Sequence, residues 1–166
     1  LFFFFLLTNA QTDTSALNIA FSGYAEPYYG YDFNQPADGN RPGFVYAHNR
    51  HHEFNLNIAY LKASVNAQRF RGNLALMAGT YANANLAAEP ATIRNVFEAN
   101  AGVRLSKKAE LWVDAGIFSS HIGFESAVGK DCRTLTRSIL ADNSPYYESG
   151  AKLSYTTPNG QWLFSA

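Results

Sequence analysis

Residues 96–105 read VFEANAGVRL. Phe97, Ala99, Ala101, Val103 and Leu105 form one set; Glu98, Asn100, Gly102 and Arg104 form the other. Successive side chains of a strand point to opposite faces, so this stretch has one wholly apolar face and one hydrophilic face. A membrane barrel needs that division, with lipid outside and a watery lumen inside. Working outward, five more segments repeat it.

The first strand reads from Leu17 to Phe33, with Leu17, Ile19, Phe21, Tyr29 and Phe33 on one side and Asn18, Ser22, Tyr24, Glu26, Tyr28 and Asp32 on the other. Pro27 lacks the N–H a ladder needs, so a bulge or kink is expected there. Turn-rich residues 34–52 follow. The second strand starts at Glu53, with Phe54, Leu56, Ile58 and Tyr60 opposed to Glu53, Asn55 and Asn57; its phase slips near Tyr60, which leaves Lys62 on the lipid side. The third runs from Phe70 to about Ala82, with Leu74, Leu76 and Ala78 outward and Arg71, Asn73 and Tyr81 inward. After a connection at 83–95 comes the segment quoted above, then a tight turn at 106–110. The fifth strand sets Leu111, Val113, Ala115 and Ile117 against Trp112, Asp114 and Gly116. Residues 118–146 form the longest connection. The sixth sets Tyr147, Ala151, Leu153 and Tyr155 against Glu148, Gly150, Lys152 and Ser154, and a seventh starts at Gln161 after the turn Thr157-Pro158-Asn159-Gly160.

The connections alternate long and short, which sorts all long loops to one side of a membrane and all tight turns to the other. Strands of about nine residues or more suffice for a tilted crossing. Aromatic residues near strand ends (Tyr29, Tyr31, Phe33, Phe70, Tyr81, Tyr147, Tyr155) fit interfacial girdles. The fold expected is all-β: an antiparallel up-and-down transmembrane β-barrel, present as an incomplete fragment of about seven strands, whose open edges would keep these residues from closing alone.

Composition agrees. Thirteen basic and thirteen acidic residues cancel, so no bulk field favours nucleic acid. Charged residues make up 16% against the ~25% of soluble domains, while aromatics reach 15%. The mean hydropathy is slightly negative, unlike that of a helical membrane protein. Leu1 to Leu7 (LFFFFLL) is too short to span a bilayer, and Thr8 and Ala10 suit a secretory cleavage site. Residues 1–10 are therefore expected to be a signal peptide truncated at its start and cut between Ala10 and Gln11, and residues 11–166 the N-terminal part of one barrel domain. The single Cys132 has no partner for an internal disulfide.

The residues now read resemble a family. Phe44-Val45-Tyr46-Ala47-His48-Asn49-Arg50 with Glu53-Phe54-Asn55-Leu56-Asn57 is similar to the putative β-barrel porin family of Gram-negative outer membranes. So are Arg71-Gly72-Asn73-Leu74-Ala75-Leu76, Ser120-His121-Ile122-Gly123-Phe124-Glu125, and Leu135-Thr136-Arg137-Ser138-Ile139-Leu140-Ala141 with Pro145-Tyr146-Tyr147-Glu148-Ser149-Gly150. The resemblance implies an outer-membrane porin-like protein without catalytic residues or cofactor.

The expected lipid face includes Phe97, Ala101, Val103, Leu111, Val113, Ala115, Ala151 and Leu153. The expected pore lining is Glu26, Asp32, Glu53, Asn55, Asn57, Arg71, Glu98, Asn100, Arg104, Asp114, Glu148 and Lys152. Six acids against three bases in that set predict a mild preference for cations. His48, His51, His52 and Glu53 form the only metal-like cluster, and a polar loop is the favoured reading of it over a zinc or copper site. Ser119, Ser120 and His121 lack a nucleophile elbow and an orienting acid, so catalysis is not expected. Lys130, Arg133 and Arg137 read equally as a substrate-guiding patch on a folded-in loop or as a solvated face. Two functions follow: passive diffusion of small hydrophilic solutes or ions through an outer-membrane channel, or a non-conducting barrel whose loops serve adhesion or ligand binding. Outer-membrane lipid is the expected surrounding partner, and the oligomeric state stays open.

Overall fold

The computed structural model describes residues 17–166 apart from Phe124 and Thr136. The expected signal segment and its cleavage point lie outside the described residues. Seven strands, β1 (Leu17–Gly30), β2 (Glu53–Ala67), β3 (Phe70–Ala78), β4 (Val96–Arg104), β5 (Glu110–Ser119), β6 (Tyr147–Thr156) and β7 (Leu163–Ser165), form one antiparallel sheet. Their order in the sheet is their order in the chain. The sheet is open: among the described residues, the outer edges of β1 and β7 have no strand partner. Two short helices, α1 (Thr80–Asn85) and α2 (Ile139–Asp142), lie in the connections, and no described helix is long and apolar enough to cross a membrane.

The connections alternate as the sequence predicts. Residues 68–69, 105–109 and 157–162 make tight turns at one end, and 31–52, 79–95 and 120–146 make long loops at the other. In the last tight turn Gly160 donates to the Thr157 carbonyl at 2.8 Å, and Gly160 takes φ 68°, a conformation glycine adopts without strain.

One face of the sheet is apolar and exposed: Phe21, Leu61, Leu74 and Val103 are 67, 77, 53 and 51% accessible. A soluble sheet would bury such residues against a second layer; here the packed layer lies on the other face. That inner cluster comprises Ala47, Ile58, Met77, Tyr81, Ala82 and Leu86, flanked by Tyr24, Tyr60 and Phe97, and it sits at the long-loop end. The molecule's apolar core is thus made where the loops fold back onto the inner face.

Two bulges correct the faces read from the sequence. Glu26 pairs with Ile58 but Pro27 pairs with Leu56, so Asn57 is the extra residue. The irregularity expected at Pro27 is there, with the inserted residue on the facing strand. From Asn57 onward the phase of β2 is reversed. Ile58 is fully buried inside, Tyr60 joins the inner cluster, and Lys62 turns inward to meet Glu98. The slip therefore lies three residues earlier than expected. On β4, Ala75 pairs with Glu98 but Leu76 pairs with Val96, leaving Phe97 extra. Phe97 was expected to face lipid. Instead its ring lies 5.3 Å from that of Tyr60, on the inner side with Glu98.

Strand ends differ too. β1 stops at Gly30, so Asp32 lies in the following turn, where it accepts a hydrogen bond from the Asn34 amide at 2.9 Å. β3 stops at Ala78. Gly79, at φ 136°, lies so close to the Asn57 carbonyl that any Cβ would overlap it, and the chain turns there into α1. Tyr81, read as a strand-end aromatic, is consequently a buried helix residue at 5% exposure, and Tyr147 packs beside the inner cluster.

Candidate pore wall and loop plug

From the tight turns upward, the inner face is built of transverse rows whose members come from neighbouring strands. In a row just above the tight turns, Arg71, Gly102, Asp114 and Lys152 stand side by side on β3 to β6. Arg71 reaches across β4 and grips Asp114 with two hydrogen bonds of 2.7 and 2.6 Å, adding Ser154 at 3.2 Å. Glycine at 102 leaves the path open, because a Cβ there would overlap the Asp114 carboxylate. The Arg71 guanidinium also lies 4.4 Å above the Trp112 ring. Beside this row Arg104 pairs with Glu110, which also accepts from the Trp112 indole at 3.0 Å.

The middle row is amide. Ser64 donates to Asn73 at 2.8 Å, Asn73 to Asn100 at 3.1 Å, and Asn100 to the Ile117 carbonyl at 2.9 Å. Above it Lys62 crosses Ala75 to reach Glu98 at 2.8 Å, and Ser119 donates to the same carboxylate at 2.9 Å. A small residue again sits beneath the bridging pair. Both ion pairs are charge-assisted, and the two-pronged Arg71–Asp114 contact is also geometrically specific.

Higher still, the wall meets the loops. Glu26 of β1 ties two loops to the wall, His48 of the first through Nε2 at 2.7 Å and the Gly129 amide of the third at 3.3 Å, and accepts from its strand neighbour Tyr24 at 3.2 Å. His48 is 6% exposed, stands edge-on to Tyr28 at 5.1 Å, and donates its own amide to the bulged Asn57 at 2.8 Å. The bulge thus anchors the first loop over the wall. Lys130 lies 5.6 Å above the Tyr24 ring, next to Gly129. Arg137 is 7% exposed, lies 5.1 Å above the Tyr81 ring, and donates to the backbone carbonyls of Ser126 and Ala127. The loop at 120–146 is therefore folded inward, the arrangement the sequence left open, and Lys130 and Arg137 hold it there. Burial pushes the Asp142 carboxyl above its ordinary range against the opposing pull of Arg137 and of the Tyr46 amide, and burial pushes Tyr146 up to about 12.

Each residue of the expected lining has a definite place. Glu26, Glu53, Asn55, Arg71, Glu98, Asn100, Arg104, Asp114, Glu148 and Lys152 lie on the inner face, Asn57 is buried in the bulge, and Asp32 belongs to the turn. Glu148 holds His121 at 2.7 Å, and Lys152 lies 4.5 Å over the Phe118 ring. Sequence reasoning set Trp112 with Asp114 on the inner side of its strand but missed Lys62 and Glu110 as inner groups. Strict alternation from Trp112 would have found Glu110, whereas Lys62 was hidden by the bulge.

His48 leaves the others for Glu26, while the His51 and His52 rings stay 5.7 Å apart, His51 accepting from the Asp32 amide at 2.8 Å and His52 meeting the Tyr29 hydroxyl at 2.9 Å. Among the described residues no three His, Cys, Asp or Glu side chains converge as metal ligands. Ser119 and Ser120 donate to Glu98 and Glu148, and His121 is paired with Glu148, so neither serine is positioned against the histidine as a base.

An apolar exposed face, a hydrophilic inner face laced by cross-strand ion pairs, and long loops gathered at one end give this sheet the sided build of a β-barrel wall. No curated protein and no solved structure matches this chain. The family model described as putative beta-barrel porin-2, OmpL-like matches residues 18–166, and the chain belongs to that family.

Proposed function

We propose that this chain forms wall and plug of an outer-membrane channel through which small hydrophilic solutes diffuse passively. The observation that carries this reading is the sidedness of the sheet. Polar rows climb from the tight turns to Lys62 and Glu98, below the apolar cluster the loops pack on, while the opposite face stays apolar along the same strands. The sided pattern suits lipid outside and water inside, and an export signal in residues 1–10 belongs to the same reading. The rows pair acids with bases across the wall. With Lys62 inside and Asp32 outside the strands, six carboxylates (Glu26, Glu53, Glu98, Glu110, Asp114, Glu148) face four cations (Lys62, Arg71, Arg104, Lys152) among the described strand residues. Paired charges present dipoles rather than rings, so this part of the wall favours cations only weakly.

Planar-bilayer recordings of the full-length protein test the channel. Discrete conductance steps in KCl, with a small reversal potential of cation sign in a salt gradient, are expected. A silent bilayer from protein that shows heat-modifiable gel mobility would overturn the reading. The alternative, a barrel whose loops bind surfaces or ligands, draws support from the loop packing on the inner face, and it would take the channel's place on that result.

A further inference from the structure

The mouth of the wall carries a polar cleft of about 540 Å³ between the first loop and α1, lined by Asn40, Asn49, Arg50, Glu53, Asn55, Gly79, Thr80, Asn83 and Ala84. We infer that this cleft is a binding site for a neutral polyhydroxylated solute of mono- or disaccharide size, held on its way into the lumen. The inference rests on the channel reading and names its solute class.

Three observations lead to it. The cleft's chemistry is carboxamide and hydroxyl: four asparagines and Thr80 line it, and amides offer donor and acceptor together, as vicinal hydroxyls require. Its charges cancel within the lining itself. Arg50 donates to Glu53 at 2.7 and 3.3 Å and to Asn40 at 2.6 Å, while Asn55 donates to Glu53 at 2.6 Å. An ionic solute would have to compete with that closed network, whereas a neutral one only adds to its rim. Lastly, the walls are pre-formed, which lowers the entropy lost on binding. Residues 39–51 make a self-paired arm: Asn40 bridges Arg50, Arg41 donates to the Asn49 carbonyl at 2.8 Å, and His51 to the Gly39 carbonyl at 2.9 Å. The floor is tied by Tyr28, whose hydroxyl accepts from the Arg50 amide at 3.1 Å and shares a 3.3 Å hydrogen bond with Thr80. The volume falls within the range of roughly 300–1,000 Å³ that small-molecule sites occupy.

The test adds maltose, glucosamine or glucuronate to the loop side of single channels of the full-length protein and follows current block. Maltose is expected to block in a saturable manner, the two charged sugars at several-fold higher concentration. Asn49→Leu and Asn83→Leu, which remove an amide and fill space, should each raise the half-blocking maltose concentration about fivefold; Asn159→Leu, in the turn at the opposite end, should leave it unchanged. Retained heat-modifiable mobility shows that each variant folds. Equal block by all three sugars, absence of block, or unchanged block in both cleft variants overturns the site while the channel stands. If the protein passes no current at all, the channel reading fails. Calorimetric titration of the detergent-solubilised protein with maltose then decides the cleft alone: heat of binding lost in Asn83→Leu upholds it, and no heat refutes it.

Discussion

The lower and upper halves of the inner face obey different rules. Near the tight turns, side chains meet in straight transverse rows, and small residues such as Gly102 lie beneath pairs such as Arg71 and Asp114. Near the loops, two bulges put consecutive residues on one side: Asn57 and Ile58 on β2, Phe97 and Glu98 on β4. Loops then pack into the space that results. The comparison teaches that alternation reports the face of a strand only while the ladder runs without interruption. One inserted residue reverses every side chain beyond it.

Val103 and Phe97 give the largest expected contrast, since plain alternation assigns both to lipid. Val103→Arg should cost roughly 2–4 kcal/mol of folding free energy in bilayer titrations, because it carries a charge into hydrocarbon. Phe97→Arg should leave insertion largely intact and loosen the loops instead, seen as faster proteolysis within residues 120–146. Equal penalties at the two sites would break the distinction between the halves.

A smaller effect is expected inside the lower half. Asp114→Ala should destabilise by about 1–3 kcal/mol, below the cost of breaking a fully buried pair because Arg71 stays about one-third exposed. Gly102→Val should act in the same direction by closing the path between the two groups. A chemical-denaturation series in detergent measures both, and a neutral Gly102→Val would show that the row is not organised around that gap.

In the upper half, His48→Ala should release the first loop from Glu26 and raise single-channel conductance by roughly twofold with more current noise. Its folding energy should fall too, since Glu26 is left buried without its partner, although the wall rows below remain. Unchanged conductance would mean that the first loop does not narrow the passage.

The finest test concerns pH. Burial raises the Asp142 carboxyl above its unfolded value, so its protonated form favours the packed loop. The stabilisation is complete below the ordinary carboxylate range and is lost as pH rises through the elevated value. Amide exchange within residues 139–146 should therefore quicken as pH rises out of the ordinary carboxylate range, beyond the intrinsic pH dependence of exchange, and Asp142→Asn should flatten that excess. A persistent excess in the variant would assign it to another group.

Much was legible from the chain alone. The sided strands, their order, the alternation of loop lengths and the irregularity at Pro27 follow from local rules: pleat period, the proline's missing N–H and turn chemistry. Ten of the twelve residues expected to line the lumen lie on the inner face of the sheet, because six of them sit away from the bulges and Glu26, Glu53, Asn55 and Glu98 keep their side at or before one. Tertiary structure alone decided the rest. Which strand carries the extra residue at each bulge depends on pairing between strands distant in sequence, and that choice turned Lys62, Tyr60 and Phe97 inward. The infolding of residues 120–146 depends on Glu26, about a hundred positions earlier, accepting the Gly129 amide. Periodicity describes one strand at a time, and those contacts exist only once the strands stand side by side.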